Sequence, residues 1–509
     1  MRSPVKDGSL EMVSNAVQLI AYADRLAGDI DRLHRLLDSE PWRGAFGGVH
    51  VLPFFTPFDG ADAGFDPTDH TAVDPRLGTW ESIGALAVRG DVMVDIIVNH
   101  VSASSASFVD WCARGEASPY AGMFLTMASV FPDGATERDL TAVYRPRPGV
   151  PFTPYRVAGE QRLVWTTFTP QQIDIDVSHP EAQRYLDAIL DEVSASGVSM
   201  VRLDAVGYAI KTPGTSCFMT EDTYAFISAF TAKARAKGVE VLVEVHSYFA
   251  RQIEIGSAVD RVYDFALPPL VLYALGTGDG GPLARWMGMR PSNAVTVLDT
   301  HDGIGVIDVG ADQAAPGRPG LLTPSQVDEL VESIRLNSGG TSVLATGAAA
   351  SNLDLYQVNC TYFDALGGDE YAYLIARAIQ FFVPGIPQVY YVGALAGRND
   401  VGLLQRTGVG RDINRRYYSA DEVAAEVERP VVAALFALCR FRSTLSVFDG
   451  AFTFAHDEQA PVFTMRWEAD DAWAQLDVCL RDRSASVSWS HNGFEGRTDD
   501  LLAHPPTLR

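Results

Sequence analysis

Three carboxylates stand where apolar runs come to an end: Asp204 in VRLDAV, Glu244 in VLVEVH and Asp302 in LDTHD. An unpaired charge is costly in such surroundings, so each needs a structural partner or a task. One acid alone could pair with a buried arginine or cap a helix. Three at the ends of three such runs point instead to shared work. The chemistry that calls for such a set is cleavage of a glycosidic bond with retention. One carboxylate is the nucleophile, and a second, held protonated, gives its proton to the leaving oxygen. Further negative charge stabilises the oxocarbenium-like transition state. Arg202, two residues before Asp204, falls on the same side of a strand and is suited to keep the nucleophile ionised and oriented. His100 and His301 are suited to hydrogen-bonding sugar hydroxyls; a lone histidine at a strand end is otherwise an ordinary structural residue.

Elements of a particular kind must position these groups. Eight short, β-branched-rich apolar runs recur along the chain, at 16–24, 48–55, 91–100, 197–206, 239–246, 260–268, 294–302 and 387–393. Continuous apolar runs of this length are the pattern of parallel strands buried on both faces. Amphipathic segments such as EAQRYLDAILDEV (181–193) and YAFISAFTAKARAKG (224–238) lie between several of them. Eight β-then-α units predict an α/β fold, a (β/α)8 barrel, whose active site forms at the carboxyl ends of the strands. An open doubly wound sheet is the alternative, but no GxGxxG turn follows the first run. Two gaps are too long for simple connections. The barrel is therefore assigned to 17–100, 178–302 and 367–447, with insertions at 101–177 and 303–366 and a frayed extension at 1–16. Beyond Phe448, alternating runs such as AFTFAH and VFTMRW predict a small antiparallel β domain over 448–509.

Composition narrows the class. The 509 residues carry a net charge of −24, which disfavours nucleic acid and anionic membranes as partners. The five cysteines show no CxxC pair and no tight spacing to histidine, so reduced thiols in a cytoplasmic protein are expected. The first residues contain no run long enough for a signal peptide, and no later stretch approaches a membrane span.

DIIVNH, VRLDAVGY, EVHSY and LDTHDGIG resemble the four ordered signature segments of the α-amylase superfamily of glycoside hydrolases (glycoside hydrolase family 13). FFTPFDGADAGFDPTDH, YRPRPGVPFTPY, FTPQQIDID, GTSCFMT, AAASNLDLYQVN and QVYYVGALAGRND resemble sucrose phosphorylases in particular. The resemblance implies Asp204 as nucleophile, Glu244 as acid/base and Asp302 as transition-state stabiliser. The insertions would be domains B and B′, and the tail domain C. A glucose subsite would use Asp62, Phe65, His100, Phe168, Gln172, Arg202, His301 and Arg411. Arg147 would bind phosphate with Tyr356 and His246, and Asp354, Tyr356 and Gln357 would alternate between fructose and phosphate. Sucrose, inorganic phosphate, fructose and glucose 1-phosphate are the implied partners, and similar bacterial enzymes are often homodimers. Many α-amylases bind calcium through the residue corresponding to Asn99 and acids of the first insertion. Sucrose phosphorylases generally lack that ion, and no dense DxDxD-type cluster is visible, so neither metal nor organic cofactor is expected. Phosphorylases of sucrose 6′-phosphate, glucosylglycerol or glucosylglycerate are rivals, as is a hydrolase or transglucosidase; the intact LDLYQVN segment favours plain sucrose. A non-catalytic transporter partner would need an anchor and would have lost the acids.

Overall fold

The computed structural model describes residues 13–60, 62–146, 149–312, 315, 317–345, 357–457 and 462–508. The chain forms two compact units, one made of 1–13, 51–245 and 258–260, the other of 14–50, 246–257 and 261–509. Eight strands, β1 (Gln18–Ala21), β2 (Gly48–Val51), β3 (Asp91–Ile97), β4 (Met200–Asp204), β5 (Glu240–Val243), β6 (Arg261–Asp264), β7 (Ala294–Thr296) and β8 (Ile386–Tyr390), close into one barrel, each beside its sequence neighbours and β8 beside β1. They are the eight apolar runs of the sequence. All seven residues of β3 are buried, as two-sided packing demands. The register of β4 on β3 sets Arg202 opposite Asp95, a pairing that matters below. Inside the barrel, Gln18 and Gln388 face each other across β1 and β8 and share a 2.8 Å hydrogen bond, while the Tyr263 hydroxyl donates to Gln388 at 3.0 Å. These buried polar groups are satisfied by one another.

The strands are shorter than the apolar runs, for local reasons. The run at 260–268 is divided because Asp264 ends β6 and accepts the Leu267 N–H (3.0 Å) and the Trp286 indole N–H (2.9 Å). With prolines in its first turn, α1 (Leu267–Thr277) starts there and is buried throughout Leu267–Leu275. Val13 and Asn15 are also not frayed. The Val13 N–H donates to Glu240 at 2.9 Å, and the Arg442 guanidinium holds the Asn15 carbonyl at 2.6 Å and side-chain oxygen at 2.7 Å.

Between β3 and β4 lies an antiparallel hairpin, Phe152–Val157 with Glu160–Trp165. Trp165 joins Val130, Phe131, Val143 and Cys217 in a small core of its own. Between β7 and β8, Ile304–Gly305 pairs antiparallel with Gln357–Val358. The C-terminal residues form a five-strand meander, β9 (Ala451–Asp457), β10 (Val462–Ala469), β11 (Ala472–Cys479), β12 (Ser484–His491) and β13 (Phe494–Thr498). Phe463, Met465 and Trp467 alternate inward along β10, and the Trp467 indole N–H donates to the Phe382 carbonyl at 2.7 Å. Among the described residues, no helix is long and apolar enough to cross a membrane.

Candidate active site

Asp204 is the last residue of β4, and Glu244 follows the last residue of β5. Between them stands Arg202, only 2% exposed. Its Nη1 lies 2.5 Å from Asp95 and 3.2 Å from Asp204, and its Nη2 lies 2.9 Å from Glu244. Beyond the contact with Asp204 and the place in the glucose subsite that the sequence suggests for Arg202, its one guanidinium serves both carboxylates. Asp95, fully buried, anchors it from the barrel interior. A planar fork with several fixed donors can do this, and a lysine could not. The Phe65 ring lies 5.4 Å from the guanidinium carbon.

The expected glucose-subsite residues of this unit are contiguous. Gln172 donates to Asp62 at 2.8 Å. The His100 Nε2–H donates to the Phe65 carbonyl at 2.9 Å, and its Nδ1 accepts from Asn99 at 3.3 Å. Burial lowers the His100 pKa from its ordinary value, which favours the neutral imidazole. Phe168 meets the His100 ring edge-on at 5.5 Å. One residue beyond Phe65, Asp66 is 3% exposed, and its Oδ1 has no hydrogen-bond partner among the described residues. Burial, reinforced by the charge of Asp62, pushes this carboxyl up to about 7.

Asn99 has a partner that the sequence did not reveal. The Lys211 ammonium donates to Asn99 Oδ1 at 2.9 Å, pairs with Asp174 Oδ2 at 2.7 Å and reaches the Tyr208 carbonyl. Both charged side chains are all but excluded from solvent. Asp174 also takes the Thr167 N–H at 2.9 Å and hydroxyl at 2.6 Å.

In the second unit, Asp302 lies six residues beyond the end of β7 and is 7% exposed. Arg411 pairs with its Oδ1 at 2.7 Å. Arg415, fully buried, approaches the same oxygen to 4.0 Å, and its Nε–H donates to the His301 carbonyl at 2.9 Å. The His301 Nε2 stands 3.5 Å from Asp302. The segment leading to Asp302 is bolted by Asp299, whose Oδ2 meets the buried Arg377 guanidinium at 2.6 Å. Gly393 passes so close that any Cβ there would fall on that ion pair.

His246 stacks on Phe265, with ring centroids 3.8 Å apart, and its Nδ1 lies 3.0 Å from Asp308. Gln357 is 7% exposed, and its Oε1 has no hydrogen-bond partner among the described residues. Arg147, Asp354 and Tyr356 lie outside the described residues. Sequence reasoning missed Asp95, Lys211, Asp308 and Arg415. Of these, only Asp95 carried a signal, as a charge interrupting the apolar run DVMVDIIV.

Known proteins resemble the chain in sequence and in fold. Residues 45–250 match the family model "Alpha amylase, catalytic domain", and residues 447–506 match "Sucrose phosphorylase, C-terminal". A sucrose phosphorylase of Bifidobacterium adolescentis is 54% identical over 504 residues, covering 97% of this chain and 100% of that protein. A sucrose phosphorylase of Agrobacterium vitis is 57% identical over 480 residues, covering 94% and 98%. The crystal structure of a sucrose 6F-phosphate phosphorylase from Thermoanaerobacter thermosaccharolyticum superposes with a TM-score of 0.87 at 37% identity, covering 96% of this chain and 98% of that one. Barrel, C-terminal sheet and kinship together define a glucosyl-transferring enzyme of the α-amylase class. Within that class, the chain belongs to the sucrose phosphorylase family.

Proposed function

We propose that the chain catalyses reversible phosphorolysis of sucrose to α-D-glucose 1-phosphate and D-fructose, by double displacement with retention. Asp204 attacks the anomeric carbon of the glucosyl unit, while Glu244 gives its proton to the departing fructosyl oxygen. The product of this half is a glucosyl ester of Asp204 plus fructose. Phosphate then attacks the same carbon from the face fructose left. Glu244 recovers a proton from it, and Asp204 is released as the carboxylate. Asp302, steadied by Arg411, offsets the positive charge that develops on the ring in both transition states. Asp62, Phe65, His100, Phe168, Gln172 and His301 hold the glucosyl unit.

The observation that carries this reading is the Arg202 guanidinium shared by Asp204 and Glu244, because it orients nucleophile and acid/base relative to each other. Identity of 54–57% to sucrose phosphorylases supports sucrose as the donor, against 38% to a glucosylglycerol phosphorylase. The acceptor role goes to Arg147, His246, Tyr356 and the 354–357 segment, with the enzyme acting in the cytoplasm as a homodimer and without metal or cofactor. The test is incubation with sucrose in the presence and absence of phosphate. Glucose 1-phosphate and fructose are the expected products; free glucose as the main product with phosphate present would refute the assignment. Sucrose 6′-phosphate, glucosylglycerol and glucosylglycerate offered in parallel should turn over more slowly than sucrose.

A further inference from the structure

Asp308 has no place in the reaction as written above, yet it is completely buried and sits at the centre of a chain of hydrogen bonds that a ring stack closes. Its Oδ1 accepts the Ser247 N–H at 3.1 Å and the Gln252 Nε2–H at 3.0 Å. Gln252 is itself oriented, because its Oε1 accepts the Phe265 N–H at 3.2 Å. The other oxygen, Oδ2, faces His246 Nδ1 at 3.0 Å, and the His246 ring lies flat on Phe265, with 17° between the planes. The circuit therefore returns to its starting residue and fixes the imidazole in position and in rotation.

The circuit also settles which nitrogen carries hydrogen. Two N–H groups already point at the carboxyl of Asp308, which answers them as an acceptor. Nδ1 of His246 must then be the donor. In the neutral ring, that leaves Nε2 as a bare lone pair, which repels a phosphate oxygen. Only the imidazolium offers Nε2–H as a donor, and a buried carboxylate on the far nitrogen favours that form. The roof over the pair is specific as well. A Cβ at Gly305 would fall on Asp308 Oδ2 and approach His246 Nδ1 to 3.2 Å, so only glycine lets the chain cross there. Gly305 is paired with Gln357, the described residue of the expected acceptor segment 354–357.

We infer that Asp308 is a positioning residue for the phosphate half-reaction: it holds His246 as a rigid cation and so tilts the glucosyl-enzyme towards phosphate over water. This rests on the phosphate role proposed for His246. The test compares Asp308→Asn and His246→Ala with the parent enzyme, measuring the phosphate KM and, separately, glucose release from sucrose without phosphate. An asparagine turns its amide N–H towards Nδ1 and so converts the ring to the uncharged Nε2–H tautomer. Charge-assisted hydrogen bonds are roughly twice as strong as neutral ones, so the phosphate KM should rise about tenfold in Asp308→Asn. Phosphate-free hydrolysis should stay within about twofold, since that step does not use the charge-assisted bond. A raised phosphate KM in His246→Ala with none in Asp308→Asn would overturn the inference and leave the role of His246 standing. No effect in either would overturn both. A measurement independent of any variant is the ¹⁵N spectrum of histidine-labelled enzyme: both ring nitrogens of His246 should carry hydrogen, and a ring with hydrogen on only one of them would refute the proposal.

Discussion

Replacing Asp66 by asparagine should stabilise the protein, and increasingly so as pH rises. The carboxyl is 3% exposed and close to Asp62, and it titrates at about 7 instead of 3.8. In the unfolded chain the proton leaves near pH 4; in the folded chain it stays until about pH 7. Between those values the folded state binds more protons than the unfolded state, so stability falls as pH rises and levels off once both are ionised. The two titrations lie about three pH units apart and each is worth about 1.4 kcal/mol, so ionised Asp66 costs on the order of 4 kcal/mol above pH 7. Asparagine keeps the shape and removes the charge. Urea denaturation of both proteins at pH 5 and pH 8 should show an advantage for Asp66→Asn that grows by about 2–3 kcal/mol between the two. An advantage that is the same at both pH values, or absent at pH 8, would refute the view that an uncompensated charge resides at this position.

Further outcomes follow from the same geometry. Asp204→Asn should lower turnover at least about 10³-fold, and Glu244→Gln by 10²–10⁴-fold, roughly the range for loss of a positioned proton donor; steady-state assays with sucrose and phosphate will tell. Lys211→Met leaves Asp174 buried and unpaired, which should cost about 3–5 kcal/mol in denaturation experiments. Adding Asp174→Asn to Lys211→Met should recover part of that loss, since it removes the stranded charge. Arg147→Ala should raise the phosphate KM about tenfold or more while altering phosphate-free sucrose cleavage little, and equal loss in both would remove Arg147 from the acceptor site.

The barrel was legible because two-sided burial leaves little choice of residue in its strands, so a charge in such a run stands out. That is why Asp204 and Glu244 could be read from VRLDAV and VLVEVH, and why the eight runs correspond to the eight strands. Strand ends were less legible. The apolar character of 260–268 continues through Phe265 and Leu267, and the division between strand and helix falls where the Asp264 carboxylate takes the Leu267 N–H. Least legible were groups whose meaning depends on a partner far along the chain. Lys211 lies 112 residues from Asn99, Arg377 lies 78 from Asp299, and Asp308 lies 62 from His246. No periodicity announces such pairs; loop geometry makes them. Asp66 shows the same limit from the other side. FDPTDH reads as an ordinary polar turn, and only packing turns that carboxyl into a group that holds its proton.

The Lys211 ammonium has a consequence for where such an enzyme can work. Asn99 belongs to the segment through which many α-amylases take up calcium, and here its side-chain oxygen is occupied by a cation carried on the chain itself. A bound ion obeys mass action: it leaves on dilution, yields to chelators and is contested by any anion that sequesters it. Phosphate, the proposed co-substrate, is such an anion. A cation attached to the backbone by a four-carbon stem has no dissociation constant, so its local concentration stays the same however much phosphate the enzyme consumes or meets.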